Sequence, residues 1–355
     1  MKRIISVAIV LAVALFFTMK QTPNDGSVNG KPVVKIGTVF PLTGNMAHIG
    51  LALQGGADTA VEHANKNPEN KYVYEIVSED SLLNMSRTAT IANKMVSLDK
   101  IDAIISFAAD VGNALVPIAE KNKVIHFAMS VDPHGAEGKY NFINWTMPES
   151  STGKMSTVIQ EKGFKNVAIV AFNQSGALAN SEMLNKKLGE LGIESNLYVF
   201  NSDIRDFRLD IRKMDAKGTD LYVLRMFDPQ ISIFIKQLRE AGISKPITSV
   251  EAFNWVEDKS IIDGYWYVDM AGDDNHEVIK EIKQRNQSDV NYGVAMAYDD
   301  VMLIVKAFEE TESRDKAIDR LLEIKNYEGI AGSLQQDETG IFHSEAMVKI
   351  IGGNK

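Results

Sequence analysis

Val33-Val-Lys-Ile-Gly-Thr-Val-Phe-Pro-Leu-Thr-Gly44 opens as a β-branched, apolar run and breaks off at a Pro/Gly turn. A small-residue helix is expected to follow over 50–65. A buried strand whose carboxyl end opens straight into a helix N-terminus is the ligand-facing unit of open α/β sheets. The same unit returns later with a different signature, so the chain reads as one lobe design used twice.

Outward from this stretch, short apolar runs alternate with amphipathic segments. Strands are expected at 33–39, 72–77, 102–106 and 124–127, with helices at 50–65, 86–98 and 112–121. An extended piece carrying Phe142, Ile143, Trp145 and Met147 then ends at Pro148. A second series predicts helices at 150–162, 177–191, 206–216 and 229–241, alternating with strands at 166–171, 194–200, 219–224 and 246–250. This alternation implies α/β architecture with parallel sheets under helical cover. After Gly264 come an apolar piece at 265–270, helices at 275–285, 292–310 and 315–325, and extended stretches near 329–334 and 345–351. That tail has too few strands for a core of its own and must complete the lobes already built.

The chain has 355 residues, 45% of them apolar, enough for two domains. A net charge of −9 and the lack of any basic cluster argue against a nucleic-acid partner. With no cysteine, disulfides, thiolate metal sites, cysteine nucleophiles and a lipid anchor on an N-terminal cysteine are all excluded. Lys2 and Arg3 precede an apolar run from Ile4 to Phe17, shorter than the roughly 20 residues of a membrane span. A polar stretch from Gln21 to Lys31 follows, so residues 1–31 read as export signal and linker. No small-x-small cleavage site is present, which leaves an uncleaved anchor open.

Six motifs in order resemble the branched-chain amino acid binding-protein family, the type I periplasmic binding proteins of ATP-driven importers. They are Lys35–Gly44, Gly55-Gly-Ala-Asp-Thr-Ala-Val-Glu62, Pro117-Ile-Ala-Glu120, Asp206-Phe-Arg208, Ala297-Tyr-Asp-Asp300, and Gly329-Ile-Ala-Gly332 with Asp337-Glu-Thr-Gly340. The resemblance covers roughly 33–352. It implies two doubly wound parallel-sheet lobes joined by three crossings: 32–146 with 270–331, and 147–269 with 332–355.

The resemblance also implies a site. Ala109, in Ser106-Phe-Ala-Ala-Asp-Val-Gly112, stands where the family's carboxylate-holding Ser is expected, with Asp110 beside it. Ser130 follows the fourth strand, Ser175 replaces a second-lobe aromatic, and Phe227 matches the next one. Glu251 matches the acid that receives an ammonium, and Ile49 replaces the first-loop aromatic. With the neighbouring Phe107, Ala108 and Met129, these form the expected ligand-binding set. The amine anchor is kept and the carboxylate anchor altered. An alternative for Glu251 is pairing with Arg225, and for Asp110 a helix-capping role. If both acids face the cleft, a cationic or amide ligand is favoured over a leucine-like zwitterion. Phe253 and Trp255 are further candidate walls.

Gly50-Leu-Ala-Leu-Gln-Gly-Gly-Ala57 echoes P-loop spacing, but Gly56 stands where Lys is required; the small residues read as letting a helix pack closely on a sheet. No G-x-G-x-x-G or G-x-S-x-G occurs, and the histidines show no metal-ligand spacing. His48 is a candidate rim contact. Asp273-Asp-Asn-His276 reads as an N-cap cluster, and the adjacent Asp299 and Asp300 do not share a helix face. The chain is therefore expected to be a periplasmic, monomeric solute-binding protein without cofactor or metal. It would capture an amino acid, amide or amine for an ABC transporter permease. A ligand-sensing receptor for a signalling partner is the alternative, and an exported α/β enzyme a third reading.

Overall fold

The computed structural model describes residues 27–270 and 272–352. Most of the expected export segment lies outside the described residues. Among the described residues, no helix is long and apolar enough to cross a membrane.

The strands are β1 (Ser27–Val28), β2 (Lys31–Phe40), β3 (Val73–Asp80), β4 (Ala103–Phe107), β5 (Ile125–Met129), β6 (Asn141–Asn144), β7 (Asn166–Phe172), β8 (Glu194–Phe200), β9 (Leu221–Arg225), β10 (Ile247–Ser249), β11 (Trp266–Met270), β12 (Asn326–Gly329), β13 (Gly332–Gln336), β14 (Ile341–His343) and β15 (Ala346–Ile350). In the first sheet β3, β2, β4, β5 and β6 run parallel in that spatial order. In the second, β8, β7, β9 and β10 repeat the pattern, and a Val250–Val268 bridge leads on to β11. Both lobes thus place their first strand between the second and third. That is the topological switch, whose carboxyl edge opens a crevice.

Alternation along each strand decides which helices cover which face. Val39, Ile104, Val111 and Leu115 share a core under helices Met85–Lys94 and Ala109–Asn122. Val34, Ile36, Ala103 and Ile105 instead belong to the large core that also holds Leu53 and Ala57 of helix Ala47–Lys66 and Ile304 of helix Val294–Glu309. In the second sheet Val167, Ile169, Leu221 and Val223 pack with Met155, Ile159, Leu184 and Leu188 of helices Pro148–Glu161 and Ser175–Glu190. The small residues of the first helix do permit close packing, chiefly on neighbouring backbone rather than on the sheet. A Cβ on Gly56 would lie 2.7 Å from the carbonyl oxygen of Val294.

The tail departs from expectation. The stretch near 329–334 is a hairpin of β12 and β13, and β14 is an additional strand. β13 and β14, expected in the second lobe, hydrogen-bond into the first sheet, where β14 runs parallel to β6. The cause is packing: the Phe342 ring sits 5.9 Å from Phe127 and 6.4 Å from Phe142. Only β15 joins the second lobe, antiparallel to β11. Among the described residues the chain therefore passes between lobes at 145–147, 272–276 and 344–345. The first and third passages are tied by Thr146 Oγ1 to Ser344 Oγ at 2.7 Å, and Ala346 N donates to Ser150 Oγ at 2.9 Å.

The two late motifs answer one another. Asp299 is buried and accepts from the amides of Ile330 at 3.0 Å and Ala331 at 2.8 Å. Gly329 must lack a side chain, because its Cβ would come within 2.2 Å of Asp299 Oδ2. Asp300 faces elsewhere, accepting from Asn144 Nδ2 at 2.8 Å.

Candidate functional site

The site is assembled from the carboxyl ends of both sheets. β4 ends in Phe107, and Ala108 turns the chain with φ +82° before helix Ala109–Asn122. Its amide donates to Met129 O at 3.2 Å, which fixes the loop to the end of β5. A non-glycine residue held there stores backbone strain, as functional loops often do. The helix starts three residues earlier than expected, so Asp110 lies in its first turn instead of capping it. Its Oδ1 accepts from Ser175 Oγ at 3.2 Å, a contact from the first lobe to the start of a second-lobe helix. Gly176 and Val131 come together at the same place. Ser130 is buried, its Oγ accepting from Asp132 N at 3.0 Å. Ile49 is fully buried in the first-lobe core, while its neighbour His48 lines the opening.

Beneath this loop lies a fully buried chain. Ser106 Oγ and His126 Nε2 are 2.9 Å apart, and His126 Nδ1 lies 2.8 Å from Asn141 Oδ1. Burial pulls the imidazole down to about 4, so it is neutral at neutral pH.

The second-lobe half is built on Arg225, at the end of β9, and Glu251, two residues past β10. Arg225 Nη2 donates to Glu251 Oε2 at 3.3 Å, and Nη1 to Val250 O at 3.1 Å. Glu251 is 0% exposed and has φ +60°. Burial raises its carboxyl above the usual range, Arg225 opposing and Asp269 adding to the effect. The Tyr292 hydroxyl, itself pushed well up by burial and by Glu251, donates to the same Oε2 at 3.0 Å. Tyr292 follows the second passage, on the first-lobe side, so this bond also spans the lobes.

Aromatic rings close the set. Phe227 packs on Trp255 at 4.3 Å between centroids, Trp255 on Tyr292 at 5.0 Å, and Tyr292 on Trp145 at 5.2 Å. Phe107 lies 6.3 Å from Tyr292 and 6.1 Å from Trp145. The Arg225 guanidinium sits over the Trp255 ring at 5.1 Å. Phe253, by contrast, is fully buried against Tyr265 and Tyr267 and is core. A cleft of about 1390 Å³ opens beside Trp255, lined also by His48, Val256, Glu257 and Lys259.

Phe107, Phe227 and Glu251 are therefore brought into one cluster, with Ala108 and Met129 joined at its first-lobe margin and Asp110 and Ser175 meeting across the gap. Trp145 and Tyr292 were not among the expected site residues. The expected helix at 292–310 includes Tyr292, whereas the helix begins at Val294 after Gly293, with φ +71°, and leaves Tyr292 ahead of it. His276, not the aspartates before it, caps helix Glu277–Asn286, its Nδ1 accepting from Val278 N at 3.2 Å. Asp274 instead meets Lys349 at 3.2 Å. Among the described residues no group of His, Cys, Asp and Glu could hold a metal ion.

Comparison with known proteins agrees with this architecture. The chain is 22% identical over 334 residues to the leucine-, isoleucine-, valine-, threonine- and alanine-binding protein of Pseudomonas aeruginosa, covering 86% of each. It superposes with a TM-score of 0.80 on a branched-chain amino acid transporter substrate-binding protein of Streptococcus pneumoniae solved with isoleucine, at 21% identity over 90% of this chain and 96% of that one. A solute-binding protein of an ABC transporter from R. palustris, solved with 4-hydroxybenzoate, matches at TM-score 0.79 and 18% identity, over 90% and 92% of the two chains. The periplasmic binding protein family model spans residues 33–348. With both lobes, their connections and nearly all the described chain inside that match, the protein belongs to the periplasmic binding protein family, whose members bind solutes and are not enzymes.

Proposed function

We propose that this chain is the extracytoplasmic receptor of an ABC importer and captures one small ligand between its lobes. In this reading the first lobe ends near 344, later than the sequence suggests, and the second comprises 147–269 with β15. The observation that carries it is the Tyr292–Glu251 bond with the ring cluster around it, which joins the two lobes through buried groups. A ligand favours closure only by its differential affinity for the closed form. The ligand-facing set is Phe107–Asp110, Met129, Ser130, Ser175, Phe227 and Glu251, with Trp255 and Tyr292 added. Amino acids and aromatic acids are bound by relatives of the same fold, and an amino-acid-like or amide-like ligand is the class proposed here. Export, monomeric state and a permease partner are parts of the same proposal.

The test is a thermal-shift screen of amino acids, amides, polyamines and small carboxylates. Ligand at about 100 times its Kd adds about 2.7 kcal/mol and should raise Tm by at least about 2–4 °C. A screen in which no compound shifts Tm at millimolar concentration contradicts the proposal.

A further inference from the structure

The buried ion pair behind Trp255 is half made. In a guanidinium, Nε–H and Nη2 lie side by side on one edge, shaped to meet both oxygens of a carboxylate. Arg225 engages Glu251 through Nη2 and Oε2 alone. Arg225 Nε and Glu251 Oε1 are buried without partners, on side chains 6% and 0% exposed. Trp255, whose ring lies against the same guanidinium, has its buried Nε1–H unpartnered as well. The cluster thus holds two donors and one acceptor unanswered, and buried polar groups require partners.

The charges select among ligands. Arg225 and Glu251 neutralise each other, so a ligand charge would meet an already compensated pair. A ligand carboxylate would face Glu251 Oε1, and Asp110 across the gap, with Ala109 offering no hydroxyl. An ammonium would face Arg225. The O=C–N–H edge of a carboxamide presents one acceptor to the donors and one donor to Oε1, with no net charge to desolvate. Trp255 and Tyr292 supply walls for an apolar or flat body.

We propose that the cleft recognises an uncharged carboxamide group, read by Arg225, Glu251 and Trp255. This rests on the two-lobe capture reading above. The experiment is calorimetric titration of the full chain with matched sets: isobutyramide, isobutyrate and isobutylamine; benzamide and benzoate; and L-leucine. The amide of each set should bind at least about tenfold more tightly than its charged counterparts. Trp255→Phe, which keeps a ring and removes one donor, should weaken amide binding about fivefold to tenfold. It should leave the thermal midpoint of the free protein near that of the wild type. Glu251→Gln should abolish the preference for amide over carboxylate. Tight binding of leucine, isobutyrate or benzoate without the amides overturns the carboxamide assignment and leaves capture between lobes standing. Failure of every compound to release heat or to alter the lobe separation overturns both.

Discussion

At the residue scale, the candidate site is where the chain departs from easy local chemistry. Ala108 holds φ +82° where glycine would sit freely. Such strain costs on the order of 1–3 kcal/mol, against roughly 0.5–1 kcal/mol for the extra freedom glycine gives the unfolded chain. Ala108→Gly should therefore raise unfolding stability by about 1 kcal/mol, read from urea titration. His126 gives a pH prediction. Its folded pKa, about 4, lies below the ordinary value of 6.5, so between those values the unfolded chain binds more protons than the native one. Stability from this group is then complete above pH 6.5 and falls as pH drops towards 4, by about 3 kcal/mol in all. His126→Gln should remove that part of the acid slope in denaturation measured at pH 7 and pH 4.5. An unchanged slope would show that His126 is protonated in the native state. That Glu251 and the loop 107–110 stand at the carboxyl ends of strands was legible from sequence. The partnership of Glu251 with Tyr292 was not, because it joins residues far apart in the chain through a contact made only when both lobes are in place.

Elements show the same division between local and distant information. Strands with continuous β-branched runs, such as β2 and β7, were placed to within a residue or two, since their period and length leave few alternatives. The closing hairpin was misread as a single strand because its turn is set by Asp299, a residue on a distant helix. Asp299→Ala should leave two backbone donors unpaired and cost about 2–4 kcal/mol. A loss below about 0.5 kcal/mol would show that the turn is held otherwise. On the first helix, Gly56→Val forces a side chain against the Val294 backbone, and should cost about 1–3 kcal/mol in denaturant titration. The small-residue pattern there was readable as close packing, while its partner was not. Nothing local distinguishes a sheet from a helix terminus as the neighbour of a glycine.

On the scale of the whole molecule, sequence alternation sufficed for two parallel-sheet lobes, because each strand–helix unit carries its own hydrophobic period. The last crossing was placed too early. β13 is short and mostly polar on its outer face, and what ties that segment to the first lobe is the pairing of β14 with the distant β6 and the packing of Phe342 on Phe127. Connections of this kind let lobes move as units about a few residues, here 145–147, 272–276 and 344–345. Because the chain has no cysteine, a dye pair can be placed without competing thiols. Exposed Lys121 and Glu190 end helices whose starts face each other across the cleft. Single-molecule energy transfer in the Lys121→Cys, Glu190→Cys double variant, titrated with isobutyramide, benzamide and L-leucine, tests the central claim most directly. Two populations should be present, with the closer one growing as a bound compound saturates; one unchanging distance with every compound would contradict capture by closure.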